Sequence, residues 1–437
     1  MLSATRTVKE GSVASVPFTG LQVLQNRLVQ FSFFNLLLVA LLGVLLRAFP
    51  FLEGFPLSYK NVLHGHSHFA FGGWLMPMLL ALQLHYFPEI TQRVAHQHWR
   101  NIAILLLASA YGMLVSFPVQ GYRLVSIVFS TLSVGAGYYW AIIVWQALRG
   151  RPRSTSTRFL QWGLIYLSIS AIGPFATGPL IVMGYQGSPL YYNAVYYYLH
   201  FQYNGWFTFA VLALLYQLIG QKGSDENGKK VFLLFNAACL PTFCLSLLWN
   251  KPGLAFNLIG GFGALLQCVA LYYLVKDLIT CCRLKMFNIL FAIAFIALFL
   301  KLVLQLLSAF PAIAAMAYQY RNFVIAYLHL VLLGFISVFA FAFIVKWYHM
   351  HWSRALKVGM ALFFFSFCIT ESLLVMQALS GITGFLIPNY PAVLLLCSIG
   401  FPLGVLFVCY SLNSAIKNNC VSEQTPLAFV RSFIASN

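Results

Sequence analysis

The stretch HGHSHFAFGGW, residues 64–74, places three histidines within five residues and continues into an apolar run that contains two glycines. Imidazoles are common ligands of metal ions and of haem iron, so histidines at the start of an apolar segment are candidate ligands. What they bind depends on whether the apolar run belongs to a soluble core or to a membrane span.

The composition of the chain indicates a membrane protein. Of the 437 residues, 61% are hydrophobic and only 8% are charged, and the mean hydropathy of +0.83 is too high for a soluble core. Runs long enough to cross about 30 Å of hydrocarbon occur about twelve times. They lie at 30–50, 63–87, 101–118, 121–148, 159–184, 195–220, 230–249, 254–279, 284–308, 321–347, 354–379 and 391–413. The sequence therefore predicts an all-α integral membrane protein with about twelve transmembrane helices.

The distribution of charge predicts the orientation of the chain. The net charge is +18, but the basic residues concentrate in alternate loops, which is typical of membrane proteins and not of nucleic-acid binding. We expect membrane lipid, and no nucleic acid, as the surroundings of the protein. A single membrane domain at 30–413 is predicted, with cytoplasmic segments at 1–29 and 414–437. The membrane is expected to be a plasma membrane of the bacterial inner type, and the first helix reads as a retained span.

A short motif recurs along the chain. A histidine followed by four residues, a glycine and an aromatic residue occurs at His68, His200 and His329, at steps of about 130 residues. The copies read HFAFGGW at 68–74, HFQYNGW at 200–206 and HLVLLGF at 329–335. Each opens the second helix of a four-helix block, so three pseudo-repeated groups are predicted at about 30–148, 159–279 and 284–413. Ionisable residues inside a membrane usually face the bundle interior, so the three imidazoles are candidate ligands.

Twelve helices in three groups of four, with histidines on helices two, six and ten, resemble the catalytic subunit of the haem-copper oxidases, the cytochrome c oxidase subunit I-like superfamily. The segment AYLHLVLLGF at 326–335 is similar to that family's helix ten. The resemblance implies that His329 is a ligand of a low-spin haem b and that Tyr327 stands where the family has its high-spin haem ligand. If the chain is an enzyme, the resemblance implies a respiratory-type oxidoreductase.

Two histidines compete for the partner ligand on helix two. The internal repeat nominates His68, whereas the family's Met-Pro pair, found here as Met76-Pro77, nominates His66. Residues 66 and 68 lie about 200° apart around a helix and cannot both face one iron. We favour His68 because its support comes from this chain, and keep His66 as the alternative. His64 shares a face with His68.

The second metal site of the family is only partly present. His200 matches the copper ligand of helix six and Tyr203 follows it, but the seventh helix, KKVFLLFNAACLPTFCLSLLWN at 229–250, contains no histidine. Copper is therefore doubtful, because it needs several convergent imidazoles. His64, His66 and His200 are candidates for a second metal or distal site, and Tyr203 and Tyr327 are the catalytic candidates. A membrane haem b protein in electron transfer, or in oxygen or nitric-oxide chemistry, is the predicted function.

Three further charged residues are candidates for a role. Lys301 and Glu371 lie within predicted spans, where they can form a proton path or a mutual ion pair. Arg321 borders the outer side, where the resemblance places the haem propionates, so a contact to a propionate is predicted.

The expected partners are an electron donor, either a cytochrome c or a quinol, and accessory membrane subunits. Two other functions fit the same bundle. One is a haem-free transporter or channel, although such carriers usually repeat in halves with broken helices at the midplane. The other is a copper-handling assembly factor that uses His64, His66, His68 and His200.

Overall fold

The computed structural model describes residues 20–220, 224–248, 253–283 and 286–422, and all regular secondary structure in these ranges is helical. The α-helices, in chain order from α1 to α19, are Gly20–Ala48, Tyr59–Phe69, Met76–Tyr86, Pro88–Thr91, His96–Gln120, Leu124–Leu148, Thr155–Ser170, Ile172–Val182, Pro189–His200, Thr208–Ile219, Asp225–Thr242, Leu254–Arg283, Ile289–Leu307, Pro311–Gln319, Arg321–His329, Val338–Trp347, Arg354–Thr383, Tyr390–Ser398 and Gly400–Ser422. The predicted all-α membrane class is confirmed.

Ten helical segments are long and apolar enough to cross a membrane. They are Gly20–Phe51, His96–Gln120, Leu124–Leu148, Thr155–Val182, Asp225–Ser246, Leu254–Cys281, Ile289–Leu307, Arg321–Trp347, Arg354–Thr383 and Tyr390–Asn418. Each overlaps one of the spans expected from the apolar runs. The chain is therefore membrane-embedded.

Both ends of the predicted membrane domain, 30 and 413, differ from the observed ones, because the first and last helices extend beyond the apolar runs. The first helix begins at Gly20 and not at 30, since polar side chains in its first turns bond other helices: Gln25 Nε2 donates to Leu84 O at 2.8 Å. At the other end α19 continues past 413 to Ser422. The remainder of the two predicted cytoplasmic segments, 1–19 and 423–437, lies outside the described residues.

The other two predicted spans, 63–87 and 195–220, coincide with continuous helical segments at 59–86 and 189–219. Each is about 40 Å long at 1.5 Å per residue, but both are more polar than the ten apolar segments. Gln83, Gln202 and Asn204 are buried in them. These two segments carry His64, His66, His68 and His200.

The segments 59–86, 189–219 and Arg321–Trp347, here named the first, second and third central helices, form the middle of the bundle. In the third, 72% of the apolar window is buried, against 28% to 50% in the other nine apolar segments. The C-terminal halves of all three are buried without interruption, at 71–84, 201–216 and 334–345. The N-terminal halves, which contain the histidines, are only partly buried.

Each central helix changes to π-helical geometry within two residues of its motif histidine. The π segments are Ala70–Leu75, Phe201–Phe207 and Leu330–Ser337. Such wide turns are rare and are often found at functional sites. In two of them a backbone carbonyl accepts a hydrogen bond from a side-chain hydroxyl: Thr208 Oγ1 donates to Tyr203 O at 2.6 Å, and Ser337 Oγ donates to Leu332 O at 2.7 Å.

The motif glycines allow aromatic rings to lie directly against the central helices. A Cβ added at any of the three would come within 3.0 Å of an aromatic side chain: Phe69 for Gly73, Tyr166 for Gly205 and Phe367 for Gly334. A larger residue at these positions would displace the aromatic side chains.

The motif tryptophans link the central helices to one another. Trp74 Nε1 donates to Ser337 Oγ at 2.8 Å, and Trp206 Nε1 donates to Met76 Sδ at 3.1 Å. In both bonds the acceptor follows the motif glycine of its own helix by three residues. The corresponding residue of the third copy, Phe335, has no side-chain N–H to donate.

Candidate functional site

His66, on the first central helix, lies within electrostatic range of His329 on the third. The Nδ1–H of His66 donates to the carbonyl of Val39 at 3.1 Å, and Nδ1 of His329 bonds Glu371 Oε1 at 3.0 Å. Neither Nε2 has a hydrogen bond among the described residues. Because the Nδ1 bonds place the proton on that nitrogen, both Nε2 atoms keep a lone pair for a metal.

Glu371 and Arg47 surround this pair of imidazoles with charge. Glu371, on α17, interacts electrostatically with Arg47 at the outer end of α1, and Arg47 Nη1 donates to Ser398 Oγ at 2.7 Å. The second carboxylate oxygen of Glu371 is buried and has no hydrogen-bond partner. The side chains of His329 and Glu371 keep 24% and 15% exposure, so the chain does not fully enclose either of them.

One face of α1 contacts His66 and fixes the position of its ring. Asn35, Val39, Gly43 and Arg47 are spaced by four residues and therefore share a helix face. Asn35 Nδ2 donates to Gly73 O at 2.7 Å, and a Cβ on Gly43 would lie 3.4 Å from His66 Cε1. Sequence reasoning missed the contribution of α1, although polar residues at this spacing in an apolar helix were a visible signal.

His68 and His64 face α5, on the other side of the first central helix. Nε2 of His68 bonds the Tyr122 hydroxyl at 2.8 Å, and its ring stacks on Phe117 at 4.3 Å with an angle of 7°. His64 contacts the Tyr122 ring at 4.7 Å, and its Nε2 is buried without a hydrogen bond. Tyr122 lies between α5 and α6, outside both spans, and is 45% exposed.

His200 is fully hydrogen-bonded by protein groups. Its Nε2–H donates to the carbonyl of Cys239 at 2.8 Å, and its Nδ1 accepts from Asn204 Nδ2 at 3.1 Å. With both ring nitrogens engaged, His200 has no lone pair to offer a metal in this arrangement. Within the described ranges, no group of three or more His, Cys, Asp or Glu residues is placed to hold a metal ion.

The two candidate tyrosines lie together, between the second and third central helices. The rings of Tyr203 and Tyr327 are 6.0 Å apart at 74°, and Tyr327 Oη donates to Gln305 Oε1 at 3.4 Å. One turn before Gln305 on α13 is Lys301, which is 0% exposed and whose Nζ has no hydrogen-bond partner.

The predicted alternative of a Lys301–Glu371 ion pair is wrong. Glu371 pairs with His329, and Lys301 interacts electrostatically with His200 and Cys239. Both α13 and α17 pack on the third central helix, but Lys301 lies within electrostatic range of His200, whereas Glu371 bonds His329.

Arg321 begins the third central helix and lines an open cavity of about 300 Å³. Tyr320, Asn322 and Gln377 line the same cavity, and Tyr320 Oη closes one side of it by donating to Gly381 O at 2.9 Å. The two helices that form this cavity, α15 and α17, also carry His329 and Glu371. Arg321 therefore lies on the same end of the bundle as the two imidazoles.

Comparisons with protein-family models and with curated proteins find no match to this chain.

Proposed function

We propose that this chain is a membrane haem b protein that transfers electrons, with one low-spin haem held between His66 and His329. The observation that carries the proposal is the bonding of these two imidazoles, which lie on different helices with Nδ1 anchored and Nε2 free. The Glu371 carboxylate on His329 fixes the ring and raises the basicity of the ligand, as the outer partners of metal-binding histidines do.

The surroundings of the pair fit a haem. The side chains of His329 and Glu371 are partly exposed, Arg47 lies within electrostatic range of Glu371, and Arg321 on the same end of the bundle would contact a propionate. An iron with two axial imidazoles carries one electron and keeps no open coordination position for oxygen. With both nitrogens of His200 engaged, electron transfer is favoured over oxygen reduction at a second metal.

The hydrogen bonds favour His66 over His68 as the ligand on the first central helix. His68 uses its Nε2 on Tyr122 and faces α5, whereas His66 bonds Val39 on α1 and lies within electrostatic range of His329. In our proposal the offset of Met76-Pro77 therefore correctly identifies His66 as the ligand. The internal repeat aligns His68 with His200 and His329, although His68 is not a haem ligand in this proposal.

The proposal includes membership of the haem-copper oxidase-like superfamily, with twelve spans in three groups of four. The π segment that follows each motif histidine supports the repeat, because three such rare elements begin within one residue of the same motif position. The electron donor is proposed to be a cytochrome c or a quinol in a plasma membrane, with both termini cytoplasmic and accessory membrane subunits as partners.

The test is a dithionite-reduced minus oxidised spectrum and a pyridine haemochrome count on the full-length, tag-free protein purified after expression with added haem. We expect one b-type haem per chain in the wild type and in His68→Ala, and none in His66→Ala or His329→Ala. Folding of the variants is checked by size-exclusion chromatography in detergent.

Two results would overturn parts of the proposal. A wild type without haem removes the function and leaves a haem-free transporter as the better account. Loss of haem in His68→Ala with retention in His66→Ala keeps a haem protein but reverses the ligand assignment.

A further inference from the structure

A second cluster of donors lies on the opposite side of the first central helix from His66. It consists of His64, His68 and Tyr122, here named the outer cluster. The Tyr122 ring lies 4.7 Å from the ring of His64 and 5.9 Å from that of His68, with Nε2 of His68 at 2.8 Å from the phenol oxygen. Two imidazoles thus lie against the same phenol side chain.

Close packing of α2 on α5 brings the outer cluster together. A Cβ on Gly65 would lie 2.8 Å from Pro118 Cγ, so only glycine lets the two helices approach this closely. Gly121, with φ of 65°, then turns the chain so that Tyr122 returns over α2. Phe117 stacks on His68 and holds its ring. The geometry is therefore built by several residues of both helices.

The donors of the outer cluster suit a borderline transition metal. Histidines four residues apart on one helix face form a chelating pair for zinc, and His64 and His68 have this spacing. Nε2 of His64 is a buried nitrogen without a hydrogen bond. A buried polar atom without a partner is costly, and a metal ion at this position would satisfy it.

We propose that the outer cluster binds one divalent metal ion of the zinc type, with His64, His68 and Tyr122 as its protein ligands. Imidazole nitrogen with an anionic oxygen is a donor set shared by Zn²⁺ and Cu²⁺. Water completes the coordination from the outer side. The proposal does not depend on the haem, because His66 projects to the other side of the helix.

Binding replaces a proton by the metal. The O–H bond of Tyr122 breaks, a metal–oxygen bond forms, and the proton leaves to solvent, while His68 exchanges its bond to the phenol for a bond to the metal. The resulting phenolate offsets the charge of the ion next to Lys60 and Arg321, which both interact electrostatically with His64. Because a proton is released, the apparent affinity for the metal rises with pH.

The test is equilibrium dialysis of the full-length, tag-free protein against Zn²⁺, with metal counted by mass spectrometry and ligands identified by zinc-edge X-ray absorption. We expect one tightly held Zn²⁺ with two imidazole ligands. His64→Ala and His68→Ala should each weaken binding about 100-fold, at least as much as the loss of an outer partner of a metal ligand. Tyr122→Phe, which keeps the ring packing, should weaken it about tenfold or more.

His66→Ala is the matched control, since it changes a histidine of the same helix. It should lose the haem and keep the zinc, whereas His64→Ala should lose the zinc and keep the haem, so the two proposals fail separately. Equal zinc binding by wild type, His64→Ala and His68→Ala would show metal held by other histidines such as His349 and His351, and would overturn the site. Unchanged affinity in Tyr122→Phe would remove the tyrosine as a ligand.

Discussion

In the third central helix, His329 bonds a carboxylate through Nδ1 and leaves Nε2 free, whereas in the second, His200 bonds a carbonyl through Nε2 and an amide through Nδ1. Both histidines occupy the same place in the same motif, and both are followed by a π segment. The difference lies in the neighbouring helices, since α17 presents Glu371 to one and α11 presents a backbone carbonyl to the other. Equal positions in a repeat therefore do not imply equal roles.

The comparison is tested most strongly by His200→Leu. The substitution leaves the buried Cys239 carbonyl and the Asn204 amide without their partner, which should lower the free energy of unfolding by about 2 kcal/mol or more. Haem content should stay at the wild-type level. Thermal unfolding in detergent, followed together with the haem spectrum, checks both, and haem loss without destabilisation would show that His200 is a ligand after all.

Glu371→Gln tests the hydrogen bond that His329 makes in the third central helix. We expect the haem to remain, because Gln still accepts from His329, but the midpoint potential should rise by about 60 mV, a tenfold change in the relative affinity for the two oxidation states. A neutral acceptor no longer stabilises the ferric form. Spectroelectrochemical titration measures this, with Glu89→Gln, a carboxylate on another element, as the control; equal potentials in both variants contradict a role for Glu371.

Lys301→Met tests the lysine beside His200. Burial of an amine without a hydrogen bond is unfavourable, so an apolar side chain of similar length should raise the free energy of unfolding by about 1 kcal/mol. Lys346→Met is the matched control, because Lys346 Nζ donates to Met286 O at 3.1 Å and its loss should not stabilise. A less stable Lys301→Met protein would mean that Lys301 has a partner in the membrane.

The smallest effect is expected for Trp206→Phe, which gives the second motif the aromatic residue of the third. It removes the N–H that Met76 Sδ accepts, and a neutral bond of this kind contributes about 0.5–1 kcal/mol. Trp74→Phe should lower the free energy of unfolding more, because the N–H of Trp74 donates to the hydroxyl of Ser337, and a hydroxyl is a better acceptor than a thioether sulfur. Paired thermal melts compare them, and an equal or larger loss in Trp206→Phe would contradict the ranking.

Much of the fold was predictable because apolar length alone identifies membrane helices. Ten apolar segments were found where hydropathy placed them, whereas the start of α1 was not, since Gln25 extends it by a bond to a distant helix. The candidate residues followed from the motif, but their partners did not. The pairing of His329 with Glu371 joins residues 42 positions apart, and no local pattern indicated it.

The choice between His66 and His68 shows the same limit in physical terms. The sequence places them on opposite sides of one helix, but which side meets His329 depends on how α1 and α5 pack around that helix. Glycines determine that packing: Gly43 admits the ring of His66 to α1, and Gly65 admits Pro118 to α2. Their role is visible only once the neighbouring helices are known.

The tryptophan hydrogen bonds connect two of the three pairs of central helices and leave the third pair without a bond of this type. Trp74 ties the first central helix to the third and Trp206 ties the second to the first, but Phe335 leaves the second and third without such a tie. Tyr203, Tyr327 and Lys301 lie along this untied contact. If the central helices separate, we expect this contact to open first, and water entering there would reach Tyr203, Tyr327 and Lys301.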